Sequence, residues 1–337
     1  MNKFLPLLLL AAGCIETGLG GDLEQVNVAN PADLETPDKV DKLVQVQVPE
    51  VDVLWVIDNS CSMAEEQTAL AENFPVFMSY FLGSGLDYHI GVISTDMSDA
   101  SHAGRLRQYA SYRFIDEDTD QPNAVFDSMA RMGTSGDWNE KGREATYAAL
   151  ELKKEGYNLG FVREDASLHV VAISDEDDHS TQPTIGEFVN YMQLLKWSED
   201  MVTFSSIVSP DMPGPCPDAS EVGVGYHSIT NAVGGIHWSI CSPDWGPLLE
   251  QLGIQASGLK REYFLSALPV PDTIAVSVVE GGVTYTFIEG DQDSGGDWIY
   301  DATRNSVTFN EYVPGALAEV YVEYKELSAL QDDILDD

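Results

Sequence analysis

Asp58, Ser60 and Ser62 alternate along the run IDNSCSM at 57–63. A second carboxylate, Asp175, stands in ISDEDD at 173–178, and the polar loop GTSG at 133–136 offers Thr134. Every atom these five side chains can present is a hard oxygen. Such a set suits Mg²⁺, Mn²⁺ or Ca²⁺ and does not suit zinc. The spacing matters because a turn leaving a strand aims alternate side chains at one point. A helix starting just beyond that turn adds the positive end of its dipole. Taken alone, the triplet has a plainer use, since Asp58, Ser60 or Ser62 would equally cap the helix expected near Met63. The acidic run 176–178 would likewise serve as a solvated loop.

Two of these groups follow apolar runs. Residues 51–57 (VDVLWVI) and 168–174 (LHVVAIS) are nearly continuously apolar, as strands covered on both faces should be. Residues 88–94 (YHIGVIS) and 202–208 (VTFSSIV) read the same way, and 263–267 reads as a short edge strand. Between them, 64–82 carries Leu70, Phe74, Phe77 and Phe81 at helical spacing, with Pro75 expected to kink it. Helices are also expected over 141–155, 184–197 and 244–256, whereas 96–137 has no legible order. Alternating strands and helices predict an α/β fold with a doubly wound, mostly parallel sheet. In such a sheet ligands bind beyond the carboxyl ends of the strands, where Asp58 and Asp175 fall. After Pro269 the pattern changes to short alternating strands with Gly and Asn turns, a small antiparallel β unit.

Those residues resemble the von Willebrand factor type A (vWA) domain and its metal-ion-dependent adhesion site. The matching pieces are VLWVIDNSCSM at 53–63, MGTSG at 132–136 and HVVAISDED at 169–177. By that resemblance Asp58, Ser60 and Ser62 form the first metal loop, Thr134 the second and Asp175 the third. It implies an Mg²⁺-dependent protein-binding module (with Mn²⁺ or Ca²⁺ as alternatives) whose open coordination position takes an Asp or Glu carboxylate of a protein partner. The insertion at 137–142 and Glu176, where the family usually has Gly, depart from the common pattern. The stretch from 237 to 325 also looks like a group of bacterial surface lipoproteins that carry this domain with a β-rich tail.

With 17 Lys+Arg against 56 Asp+Glu, the net charge is −39, which argues against a nucleic-acid partner. Hydrophobic residues at 44% and charged ones at 22% still allow a folded core. At the start, MNK, an apolar run and AAGC resemble a bacterial lipoprotein signal, with Cys14 the lipid-bearing residue. The expected organisation is a signal at 1–13, a flexible tether at 14–49, the vWA domain at 50–268, the β unit at 269–327 and an acidic tail at 328–337. An outer-membrane lipoprotein follows, exported to an oxidising compartment in which Cys216 and Cys241 pair. Cys61 is then left over, its side chain pointing away from the ion.

Weaker candidates remain. The run 291–297 (DQDSGGD) resembles the start of a calcium loop but has no Glu at the last loop position, so a β-turn is expected. The six His show no zinc spacing; His169 is expected to pack in its strand, and His179 to line a rim or the surface. Tyr80, Phe81, Trp197 and Trp245 read as core, and Trp138 as an exposed contact beside Thr134. No nucleophile elbow is present, and the chain is read as a non-enzyme. Two alternatives stay open: a metal-assisted hydrolase using Asp58 and Asp175 with Asp177 or Asp178 as base, and an assembly lipoprotein with a vestigial site.

Overall fold

Strand β2 (Glu50–Ile57) has seven consecutive fully buried residues because it is covered on both sides. In the computed structural model, which describes residues 36–45, 50–82, 84–210, 215–315 and 317–327, it lies inside a five-stranded sheet. The others are β3 (Asp87–Ser94), β4 (Ser167–Ile173), β5 (Val202–Val208) and β6 (His237–Ser239), in the order β3-β2-β4-β5-β6 and all parallel. The signal at 1–13, Cys14, most of the tether and the tail at 328–337 lie outside the described residues.

Alternation along β2 divides its side chains between two cores. Val53, Trp55 and Ile57 face helices α1 (Ala64–Met78), α2 (Pro122–Ala130) and α6 (Gly246–Ala256). Trp55 meets Phe77 and Phe126 edge-on, with ring centroids 5.4 and 5.7 Å apart. Leu54 and Val56 face α3 (Gly142–Tyr147), α4 (Ile185–Leu194) and α5 (Val224–Val233), packing with Phe188, Phe204 and Tyr226. This is the expected doubly wound α/β sheet.

Local differences have local causes. Helix α1 carries through Pro75, which falls in its last turn. The helix expected over 141–155 is a short α-helix followed by a π-turn at Ala148–Leu152, which leaves Leu152 exposed. Thr184 and Glu187 form a reciprocal capping box that starts α4, but the helix ends at Leu194. Trp197, read as core, is therefore 76% exposed beyond it. Helices α2 and α5 and strand β6 have no counterpart in the sequence reading. Tyr80 is half-buried, and Phe81 and Trp245 are core.

The β unit is larger than expected, with two strands that precede residue 269. One sheet runs β1 (Asp38–Val44), β12 (Glu319–Lys325), β8 (Ala275–Glu280) and β9 (Val283–Phe287). The other runs β10 (Trp298–Asp301), β11 (Ser306–Phe309) and β7 (Glu262–Phe264). Strand β7, expected at the edge of the parallel sheet, instead pairs with β11, and Tyr263 and Leu265 pack with Trp298 and Phe309. Residues 262–265, placed before the boundary at 268, thus belong to the β unit. Strand β1 lies within the stretch read as a tether and pairs with β12 along its whole length. Its pattern is inverted: Val40 and Val44 face outward while Asp41 faces in.

Asp41 is stabilised there as a carboxylate. Ser266 donates to it through its backbone N–H (2.8 Å) and hydroxyl (2.6 Å), and the Tyr324 hydroxyl donates at 2.9 Å. Burial pushes its pKa up, but these donors outweigh it and hold the carboxyl below its ordinary value. Asp41→Ala should cost about 1–3 kcal/mol in urea unfolding, since it leaves buried donors unpaired. Removing residues 36–45 should lower the melting temperature of the β unit, which a mere tether would not do.

Candidate functional site

The order β3-β2-β4-β5-β6 reverses direction between β2 and β4, so the crevice of the sheet opens at their carboxyl ends. There the parallel ladder runs one residue past the strands. The Asp58 N–H donates to Ile173 O at 3.0 Å, Thr95 N–H to Ile57 O at 3.2 Å, and Ser174 N–H to Ile207 O at 3.3 Å. Asp58, Thr95 and Ser174 are thereby aligned on one edge, with Asp175 next along the chain.

Asp58 is fully buried and both its oxygens are held. Oδ1 accepts from the Ser60 N–H at 2.7 Å, and Oδ2 accepts from the Ser174 hydroxyl at 2.7 Å. The Ser60 and Ser62 hydroxyl oxygens lie 3.2 Å apart, with Ser60 buried and Ser62 exposed, so the loop opens to solvent at Ser62. Asp175 is 2% exposed. Its Oδ2 accepts from the Ser220 hydroxyl at 3.2 Å, and its Oδ1 is buried with no hydrogen-bond partner.

Loop 133–136 is clamped onto the first loop from two sides. The Gln67 amide donates to Asp58 O at 3.1 Å and to Gly133 O at 3.0 Å. The Gly136 N–H donates to Asn59 O at 2.9 Å, and a Cβ at Gly136 would sit 2.5 Å from the Asn59 side chain. Half-buried Thr134 lies in the chain between these two clamped glycines. The N-cap of α1 is Met63, with no side-chain cap, so Asp58, Ser60 and Ser62 do not cap that helix. Among the described residues Cys61 is exposed and carries no disulfide, while Cys216 and Cys241 are bonded, Cα atoms 6.3 Å apart.

Sequence reasoning missed Glu140. It is fully buried, accepts a hydrogen bond from the Thr95 hydroxyl through Oε2, and leaves Oε1 without a partner. Burial, and then the charge of Asp58, push its carboxyl up to about 9. Asp58 itself is pushed up to about 6, chiefly by burial; hydrogen bonds from Ser174 and Ser60 oppose this, and the charge of Asp175 adds to it. Glu66 and Glu176 are raised in the same way, with burial first and neighbouring carboxylates next. Among the described residues no Lys, Arg or His pairs with Asp58, Asp175 or Glu140. Arg143, the buried cation nearby, is held by Asp178 at 3.2 Å.

The remaining candidates have ordinary roles. Asp177 Oδ1 accepts from the Gly225 N–H at 2.7 Å in the first turn of α5. His179 faces Glu221 at 3.1 Å. His169 packs in its strand against the Thr203 hydroxyl at 2.8 Å, and burial pushes its pKa down to about 4. Asp291 accepts from the Ser294 N–H at 2.7 Å in a short 3₁₀ turn. Trp138 is 78% exposed in the loop beyond Thr134.

No family model matches the chain, and no curated protein matches it. Solved structures do resemble it. A von Willebrand factor type A protein from Catenulispora acidiphila is 13% identical with a TM-score of 0.40, over 90% of this chain and 68% of that one. The pilus adhesin SpaC from Lactobacillus rhamnosus GG, in its open conformation, is 10% identical with a TM-score of 0.44, over 89% of this chain and 42% of that one. Proximal thread matrix protein 1 from the mussel byssus is 11% identical with a TM-score of 0.38, over 67% of this chain and 51% of that one. The chain thus spans about half or less of the last two.

The donor set fits a hard divalent cation: two buried carboxylates, one with an unsatisfied oxygen, beside the hydroxyls of buried Ser60 and exposed Ser62. Among the described residues no three His, Cys, Asp or Glu side chains group as metal ligands, so the hydroxyls have to be counted. Raised carboxyl pKa values make the metal-free site sensitive to alkali. A group that binds its proton more tightly when folded stabilises the fold fully below its unfolded pKa, and that stability is lost as pH rises through the folded value. For Glu140 the window runs from 4.5 to about 9. In EDTA the melting temperature should therefore fall between about pH 5 and pH 8.5, and Glu140→Gln should flatten that slope. An equal slope in the variant would contradict the assignment.

Proposed function

We propose that the chain is a divalent-cation-dependent protein-binding module of the adhesion type, carried on the bacterial envelope by a lipid on Cys14. Asp58, Ser60, Ser62, Thr134 and Asp175 would hold Mg²⁺, with Mn²⁺ or Ca²⁺ as substitutes. When bound, the ion supplies a positive centre with an open position for an Asp or Glu carboxylate of the partner. The observation that carries this reading is the pair of buried carboxylates on neighbouring strand ends, unpaired with any cationic side chain among the described residues and, at Asp175, short of one hydrogen bond.

The chain's own groups supply the rest. Ser174 and the Ser60 N–H orient Asp58, Ser220 orients Asp175, and Gln67 ties the first loop to the loop of Thr134. Ser62 and Trp138 are exposed, so a partner can reach the opening and meet an aromatic surface beside it. A hydrolytic reading would need a free base. Asp178 is committed to Arg143 and Ser180, and Asp177 to the first turn of α5, so neither is placed for that task.

Calorimetric titration with Mg²⁺ should give one site, lost in Asp58→Ala. Capture of envelope proteins by the immobilised chain should stop in EDTA and return with Mg²⁺ or Mn²⁺. Unchanged Mg²⁺ affinity in Asp58→Ala would sink the site. Trp138→Ala should weaken capture about tenfold while leaving Mg²⁺ affinity unchanged; equal capture would remove Trp138 from the contact surface.

A further inference from the structure

A second constellation, on the far strand of the sheet, has a different chemistry. His227 stands in the first turn of α5 and His237 opens β6, and their Nδ1 atoms face each other 2.9 Å apart. The outer nitrogen of each ring is occupied. His227 Nε2 lies 2.9 Å from Ser209 O, a carbonyl that can only accept, so that nitrogen carries the proton. With the Asn231 amide in the orientation the structure gives it, His237 Nε2 donates to its Oδ1 at 3.0 Å. A neutral imidazole has one N–H, so both Nδ1 atoms are then lone pairs pointing at each other. The Ser206 hydroxyl, 3.4 Å from His237 Nδ1, accepts from Thr230 at 2.9 Å. Two facing lone pairs at 2.9 Å repel unless something positive lies between them.

We propose that His227 and His237 form a two-nitrogen site for a borderline transition-metal cation such as Zn²⁺, Ni²⁺ or Cu²⁺. Imidazole nitrogens at about 2.0–2.1 Å from one ion are roughly 2.9 Å apart at a right angle and about 3.3 Å apart in a tetrahedron. The observed separation falls at the near end of that range. Each ring also donates its outer N–H to an oxygen, the arrangement that fixes the tautomer of metal-bound histidine. Nitrogen donors select against Mg²⁺ and Ca²⁺, so this site and the oxygen site discriminate between cations. Among the described residues no third His, Cys or carboxylate completes it, and His237 is exposed, so water or an outside ligand fills the other positions. A bound ion would fasten α5 to β6, the strand whose following loop carries Cys241.

The test is Zn²⁺ titration of the full chain in excess Mg²⁺, which covers the oxygen site, with Ni²⁺ as a second probe. One equivalent should bind. His227→Gln and His237→Gln should each weaken it at least about tenfold, whereas Asp58→Ala should leave it unchanged. Because His237 is exposed, its variant should melt as the wild type does without metal. No uptake would mean that a single N–H bridges the rings, with the Asn231 amide turned to donate, and would overturn the proposal. Uptake unchanged in the double histidine variant would place the ion elsewhere and overturn it too.

Discussion

Buried carboxyl groups without cationic partners at the carboxyl edge of the sheet govern this molecule. Asp58, Asp175 and Glu140 are all buried, and within the described residues none meets a cationic side chain. A carboxylate out of water is costly unless it is paired or well hydrogen-bonded. The fold meets part of that cost with aimed donors: Ser60 and Ser174 on Asp58, Ser220 on Asp175, Thr95 on Glu140. It leaves Asp175 Oδ1 and Glu140 Oε1 unsatisfied. Strand order explains why these groups meet, since β2 and β4 are neighbours at the reversal of the sheet and end in register.

Comparison with the buried cations sharpens the point. Arg163 binds Asp52 and Asp87 at the opposite end of β2 and β3, with Lys196 3.9 Å from Asp52. Arg143 balances Asp178. The chain has only 17 basic residues, and three of them, Arg163, Lys196 and Arg143, go to the buried carboxylates Asp52 and Asp178. A divalent ion at Asp58 and Asp175 would be a local positive centre on a surface that otherwise repels anions, and salt screens that repulsion beyond about 8 Å. An acidic ligand is therefore expected to need the ion.

Much of this was legible in the residues. The apolar runs at 51–57 and 168–174 gave away buried strands, and the polar residues following them gave away the edge. Helical spacing of Leu70, Phe74 and Phe77 placed one wall of the core. Glu140 was not legible, because nothing local distinguishes a buried Glu in a polar loop; only Thr95, distant in sequence, reveals it. Strand β1 was hidden by its inverted pattern, with valines out and Asp41 in. Strand β7 was misplaced because a three-residue strand carries no sign of which sheet it joins. The histidine pair escaped because its members are ten residues apart on different elements and meet only through the packing of α5 beside β5 and the pairing of β5 with β6.

The most direct test of the central claim is the anomalous scattering of Mn²⁺ in crystals of the chain grown with that ion. One peak is expected in the crevice between β2 and β4, within coordination distance of the Asp58 loop and Asp175. A crevice without a peak at saturating Mn²⁺, with the carboxyl groups protonated or turned onto protein donors, would contradict it.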